Sequence, residues 1–299
     1  MAITIGCATP DPQNNGVDKS TNDQPTAYSL AGDPLFAPEP DSSLLAEVDK
    51  RRQAWEEAPI DADAKIWYGR FLAYAGRYDE AIDLYSQGMD EHPNDPRFPR
   101  HRGHRYISIR QLDNAISDFE HAASMIDGQP NEIEPDGMPN ARGIPVSTLQ
   151  GNIWYHLGLS YYLKHDLDNA LRAFQNGLAT AALPDNVVST THWIYMILQR
   201  MGNDEAAEAA LESITPDMDI IENTAYHRLT LLYKGLVEES ELVGEGSAGD
   251  AIMYGIGNWH LYNNRSDRAK QVFEQLLNEG NWASFGYIAA ESDMLRYFQ

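Results

Sequence analysis

The sequence predicts an all-α fold: an α–α superhelical solenoid of about five repeat-like units with a C-terminal capping helix. Three observations lead there. A block of residue types returns after 34 positions. The small residues of that block fall where two antiparallel helices would have to cross. The segment opening at Asp41-Ser42-Ser43 then sets Leu44, Leu45, Val48 and Trp55 on one helical face until Pro59 stops it. With 299 residues the chain has room for one large domain or two small ones, and a repeat array is not limited by a single core.

Residues 1–41 form an extended polar N-terminal arm. They are rich in Asn, Asp, Gln, Ser, Thr and Pro, have no helical period and cannot build a core of their own. The arm's few hydrophobes (Ile3, Ile5, Tyr28, Leu30, Leu35, Phe36) are its candidate anchors on another surface. Residues 42–299 make up the solenoid. Its first full unit, 62–95, carries Gly69, the run Gly76 to Ala81, Tyr85, Gly88 and Pro93. The second repeats the pattern 34 residues on with Gly103, Ala115, Phe119 and Ala122. The third reads Trp154, Leu157-Gly158, Tyr161, Ala170, Phe174 and Gly177. Residues 187–215 keep Trp193, Leu198, Gly202 and Ala206-Ala207 with a turn that reads one residue short. Residues 250–281 keep Gly257, Ala269 and Phe273. Tyr226 to Val237 reads as an unpaired helix between these two units, and Trp282 to Phe298 as the amphipathic cap.

The spacing has a physical cause. Helices cross closely only where the side chain is Gly or Ala, which accounts for Gly69 with Ala81, Gly103 with Ala115 and Gly158 with Ala170. The aromatic residue one turn beyond that Ala fills the gap to the next unit. In order and period these residues resemble the tetratricopeptide repeat (TPR), and the stretch 43–299 resembles a bacterial TPR protein. That resemblance implies a non-enzymatic scaffold that holds a protein or peptide segment, with self-assembly into a filament or ring through residues 1–41 as the alternative function.

One interruption stands out. Units two and three are separated by a non-helical insertion at about 130–150, whose four prolines exclude continuous helix. A loop of this length inside a compact array is more often functional than idle.

Composition narrows the partners. The net charge of −23 repels phosphate backbones and anionic lipid, so no nucleic acid is expected as a partner. No run of apolar residues is long enough to span a membrane. The single cysteine, Cys7, excludes an internal disulfide. Its context, Ile5-Gly6-Cys7-Ala8, resembles the end of a bacterial lipoprotein signal, although Thr4 stands where Leu is usual and few apolar residues precede it. Lipidation at Cys7 would place the protein at the bacterial cell envelope or outside the cell; the alternative is the cytoplasm.

No catalytic site is legible, and no cofactor or metal is expected. Gly244, Gly246 and Gly249 spell G-x-G-x-x-G without the strand and βαβ unit that a dinucleotide site needs. His101 and His104 have no accompanying ligand set, and no G-x-S-x-G elbow occurs.

The informative cluster is basic. Arg97, Arg100, Arg102, Arg105 and Arg110 fall within 14 positions, with no acid between Asp95 and Asp113. TPR arrays hold extended peptides on the concave face made by their first helices. The corresponding slots here are Arg70 and Tyr74 in unit one and Arg97, Arg100 and His104 in unit two. Unit three supplies Asn152 and Tyr155, unit four His192 and Arg200, and unit five Tyr254, Asn258 and Tyr262. Such a cationic, aromatic groove suits backbone amides and a carboxylate. Equally, the insertion, with Glu132, Glu134 and Asp136, could fold back and neutralise the arginines.

Overall fold

The computed structural model describes residues 24–135, 140–244 and 246–298. Cys7, with the anchors Ile3 and Ile5, lies outside these residues, as does Asp136. The described part of the arm forms a two-stranded hairpin, β1 (Ala27–Tyr28) with β2 (Pro34–Leu35), turning at Gly32. The rest is helical. An entry helix α1 (Ser42–Glu57) leads into three complete pairs: α2 (Ala62–Tyr74) with α3 (Tyr78–Glu91), α4 (Arg97–Ser108) with α5 (Leu112–Met125), and α6 (Leu149–Leu163) with α7 (Leu167–Ala179). A short fourth pair, α8 (Pro184–Arg200) and α9 (Asp204–Ala210), is followed by the lone α10 (Thr224–Tyr233). The fifth pair is α11 (Gly246–Tyr262) with α12 (Ser266–Glu279), and α13 (Phe285–Tyr297) ends the chain.

Each pair is held at its crossing as the residue types require. Ala81, Ala115, Ala170, Ala207 and Ala269 are all completely buried. Opposite them, Gly158 and Gly257 lie so close to Phe174 and Phe273 that a Cβ would stand 2.7 and 2.4 Å from the ring. Successive first helices touch one another, α2 with α4, α4 with α6 and α6 with α8, which sets them on the inside of the curve.

Every pair turns through three residues, and the same turn position adopts a left-handed backbone in all five: Gly76, Arg110, His165, Gly202 and Asn264. This corrects the reading of unit four. Its turn is full length, Gly202 is equivalent to His165, and Tyr195 therefore occupies the slot that Gly69, Gly103 and Gly158 fill elsewhere. Tyr195 is accommodated because it stacks on Tyr233 of α10 at 4.6 Å, and the facing second helix stops at Ala210.

The insertion is anchored as a partial ladder. Ile133 bridges Thr148, Leu149 donates to the Glu132 carbonyl at 2.8 Å, and Glu134 donates to that of Ser147 at 3.0 Å.

The last helix does more than cap the array. One side of α13 packs on α11 and α12. Along its other side Glu291 pairs with Arg110 at 3.0 Å, the Ser292 hydroxyl donates to the Leu163 carbonyl at 2.7 Å, and Asp293 pairs with Arg200. Just before it, the Trp282 indole donates to the Phe36 carbonyl at 2.8 Å and stands edge-on to Tyr78. The superhelix is thus tied back on its first unit and its hairpin.

Candidate functional site

The twelve groove positions lie on the first helices α2, α4, α6, α8 and α11. His192 is buried against α10, and Tyr254, Asn258 and the Arg200 side chain are buried beside α13. Arg200 donates to Asp293 at 2.8 Å and to the Asn258 amide oxygen at 2.7 Å, and Tyr254 donates to Asp293 at 2.9 Å. His192 meets the Tyr233 hydroxyl, and burial pushes its imidazole down to about 3. Tyr262 packs edge-on against Tyr195. These residues bind the protein to itself.

Toward the first two units the insertion reaches in. Arg100 pairs with Glu134 at 3.0 Å, both side chains being buried, and Asn152 donates to the same carboxylate at 2.9 Å. His101 lies 3.5 Å from it. Arg70 donates to the Pro135 carbonyl at 2.7 Å while lying over Trp67. Arg97 is held by Asp95 and Asp63, and Tyr74 stands edge-on to Phe71. Among the described residues, the acid that folds back is Glu134, the one carboxylate paired with Arg100. Arg70, Arg100 and Arg105 all lie close enough to Tyr85 and His101 to influence their titration.

Between these two regions a cleft remains. Its inner wall carries His104 of α4 and Tyr155 of α6, closed by Tyr226 of α10 and Phe285 of α13. The Tyr155 hydroxyl meets that of Tyr226 at 3.0 Å and accepts from the Trp193 indole at 2.8 Å. The Phe285 ring lies 5.4 Å from those of both His104 and His156. A cavity of about 250 Å³ lies on the Asn152 side of Phe285, and one of about 440 Å³ on the His104 side; both are bounded by Asn223 and Tyr226. Burial and the neighbouring arginines hold His104 well below the usual imidazole range, and burial above all pushes His156 to about 3, so both are neutral at pH 7. Two polar groups face this space ready for use. Asn152 and Asn223 spend their amide N–H on Glu134 and the Asp185 carbonyl, and among the described residues neither amide oxygen receives a hydrogen bond. Asp185 itself, fully buried, accepts the backbone N–H of Ile221, Glu222 and Asn223 and so fixes the start of α10 at the cleft.

Three successive crossings of Gly, Ala and aromatic, each closed by a three-residue turn, define the repeat, and the tetratricopeptide-repeat family model matches residues 52–98, the end of the entry helix and the first pair. The chain therefore carries a tetratricopeptide repeat. Human RNA polymerase II-associated protein 3 is 40% identical to it over 50 residues, a match covering 17% of this chain and 8% of that protein. Among solved structures it is similar to YrrB, described as a TPR protein with an unusual peptide-binding site, at 15% identity with a TM-score of 0.45, covering 81% of this chain and 96% of that one. A TPR protein from Parabacteroides merdae ATCC 43184 is 12% identical with a TM-score of 0.48, covering 83% and 92%. A TPR array is a protein-binding fold whose members are in general non-catalytic scaffolds. Among the described residues of this one, no cluster of His, Cys, Asp or Glu has the arrangement of a metal site, and no helix is long and apolar enough to cross a membrane.

Tyr226 and Phe285 were not among the groove positions read from the sequence. Both lie outside the regular first helices, in the lone α10 and in α13, where the repeat consensus assigns no inward slot.

Proposed function

We propose that the protein is a non-enzymatic scaffold that holds a polypeptide segment in the cleft between α6, α10 and α13. The observation that carries this reading is the convergence of His104, Asn152 and Tyr155, from the first helices of two units, with Tyr226 and Phe285 around one cleft. Its aromatic walls suit an apolar side chain, and the free amide oxygens of Asn152 and Asn223 suit backbone N–H groups. Among the described residues arginine outnumbers carboxylate at Arg70, Arg100 and Arg105, which favours a segment with an acidic residue beside that anchor.

Ala248 and Ala181 stand at the mouths of the two cavities. Probing an array of randomised peptides with the wild-type protein and with an Ala248→Trp, Ala181→Trp variant tests the reading. Peptides with an apolar anchor and a flanking acid should be retained by the wild type and lost by the blocked variant. Equal retention by both would place the binding surface elsewhere.

A further inference from the structure

A second groove runs along the edge of the array, where the turns between units open. It measures about 920 Å³ and lies between the α3–α4 turn, the C-terminal end of α5 and the N-terminal end of α6. Through Ile126 and Gln150 it continues into a shallower depression of about 290 Å³ that ends at Trp154. The sequence explains the opening. Units one and two are joined by the short turn 92–96, whereas units two and three are separated by the insertion, at whose start Gln129, Pro130 and Glu132 wall the groove.

The floor is apolar: Met125, the buried Ile126, Leu149 and Trp154. The rim is acidic. Arg97 is the one Lys or Arg in the lining, and Asp95 and Asp63 both hold it. Asp127 and Glu132 are exposed and have no ionic partner among the described residues. Apolar side chains would find a floor here, and cationic ones two unpaired carboxylates.

We propose that this edge groove is a docking surface for a basic polypeptide segment with apolar side chains, separate from the inner cleft. Its partner is the charge complement of the one that suits Arg70, Arg100 and Arg105, so the scaffold could hold two unlike segments at once. The general negative field of the protein would draw a basic segment to any face, and the test must separate that field from the groove.

The probe is a short fluorescein-labelled peptide of alternating lysine and leucine, followed by fluorescence anisotropy at moderate salt. Two double variants shift the net charge equally: Asp127→Lys with Glu132→Lys in the groove, and Glu205→Lys with Glu208→Lys on the exposed face of α9. The groove variant should bind about tenfold more weakly. The α9 variant and Ala248→Trp should bind as the wild type does, and an unlabelled glutamate–leucine peptide should not displace the probe. Equal weakening in the two charge variants would assign the effect to the general field and overturn the proposal. Loss of binding in Ala248→Trp would move the peptide into the inner cleft, with the same result. A wild-type dimer, detected by sedimentation and absent in the groove variant, would make the occupant a second copy of this chain and overturn it too.

Discussion

A Cβ on Gly69 would stand 2.5 Å from a ring carbon of Tyr85. Tyr85 is itself buried, so its ring has nowhere to swing. Gly69→Ala gains helix propensity but forces the first pair apart, at a cost of about 1–3 kcal/mol. At Gly103 the equivalent approach to Phe119 is 3.0 Å, and Gly103→Ala should cost less. Denaturant midpoints for the two variants check the order; the reverse order would contradict the packing described here.

Arg110 occupies a left-handed turn position with φ of 63°, where Gly76 and Gly202 serve in other units. Its side chain reaches Glu291 and the Trp282 carbonyl, which holds the strained backbone in place. Arg110→Gly loses that ion pair but relieves the backbone. Arg110→Ala loses the pair and keeps the strain, so it should be the less stable of the two by about 1 kcal/mol. Thermal unfolding of both variants measures the difference.

The repeat was legible because its determinants are local. Gly, Ala and an aromatic at fixed offsets specify a crossing whatever lies beyond it, so Gly69, Ala115 and Phe174 reveal their roles from sequence alone. Unit four was harder, since Tyr195 in the glycine slot conceals the register that Gly202 keeps. The inner surface was only partly legible. His104, Asn152 and Tyr155 could be placed by repeat position, but periodicity does not tell which face of α13 turns inward or that Phe285 lies against His104. Nor could spacing choose among the acids of the insertion: Glu134 reaches Arg100 because the Ile133–Thr148 bridge fixes the loop's register. These features depend on how far the array curves, which sums small rotations over every unit.

Arg200 and Asp293 form a buried pair that ties α13 to α8. Asp293→Ala should destabilise by about 3–5 kcal/mol, because it leaves the guanidinium buried without its counter-ion. Joint replacement, Arg200→Met with Asp293→Leu, should recover a large part of that loss. A double-mutant cycle by urea denaturation reads both numbers.

Acid should weaken the fold before the carboxylates titrate. His156 and His192 stay neutral in the folded protein down to about 3, whereas in the unfolded chain they gain protons as pH falls through the ordinary imidazole range. Their contribution is full above that range and is lost as pH falls. From pH 7.5 to 5.5 each should cost about 1.4 kcal/mol. His101 and His104 act in the same direction. The raised carboxyls of Asp118 and Glu291 oppose them, chiefly at the lower pH where carboxylates titrate. A urea midpoint that does not move between these two pH values would show that the histidines are solvated.

The inner cleft is tested most directly by hydrogen–deuterium exchange, with and without a peptide selected on the array. Binding there should slow exchange at residues 148–156, 222–226, 247–251 and 283–286 while leaving the outer helices α3, α5 and α7 unchanged. Protection confined to those outer helices, or none in the four cleft segments at saturating peptide, would contradict it.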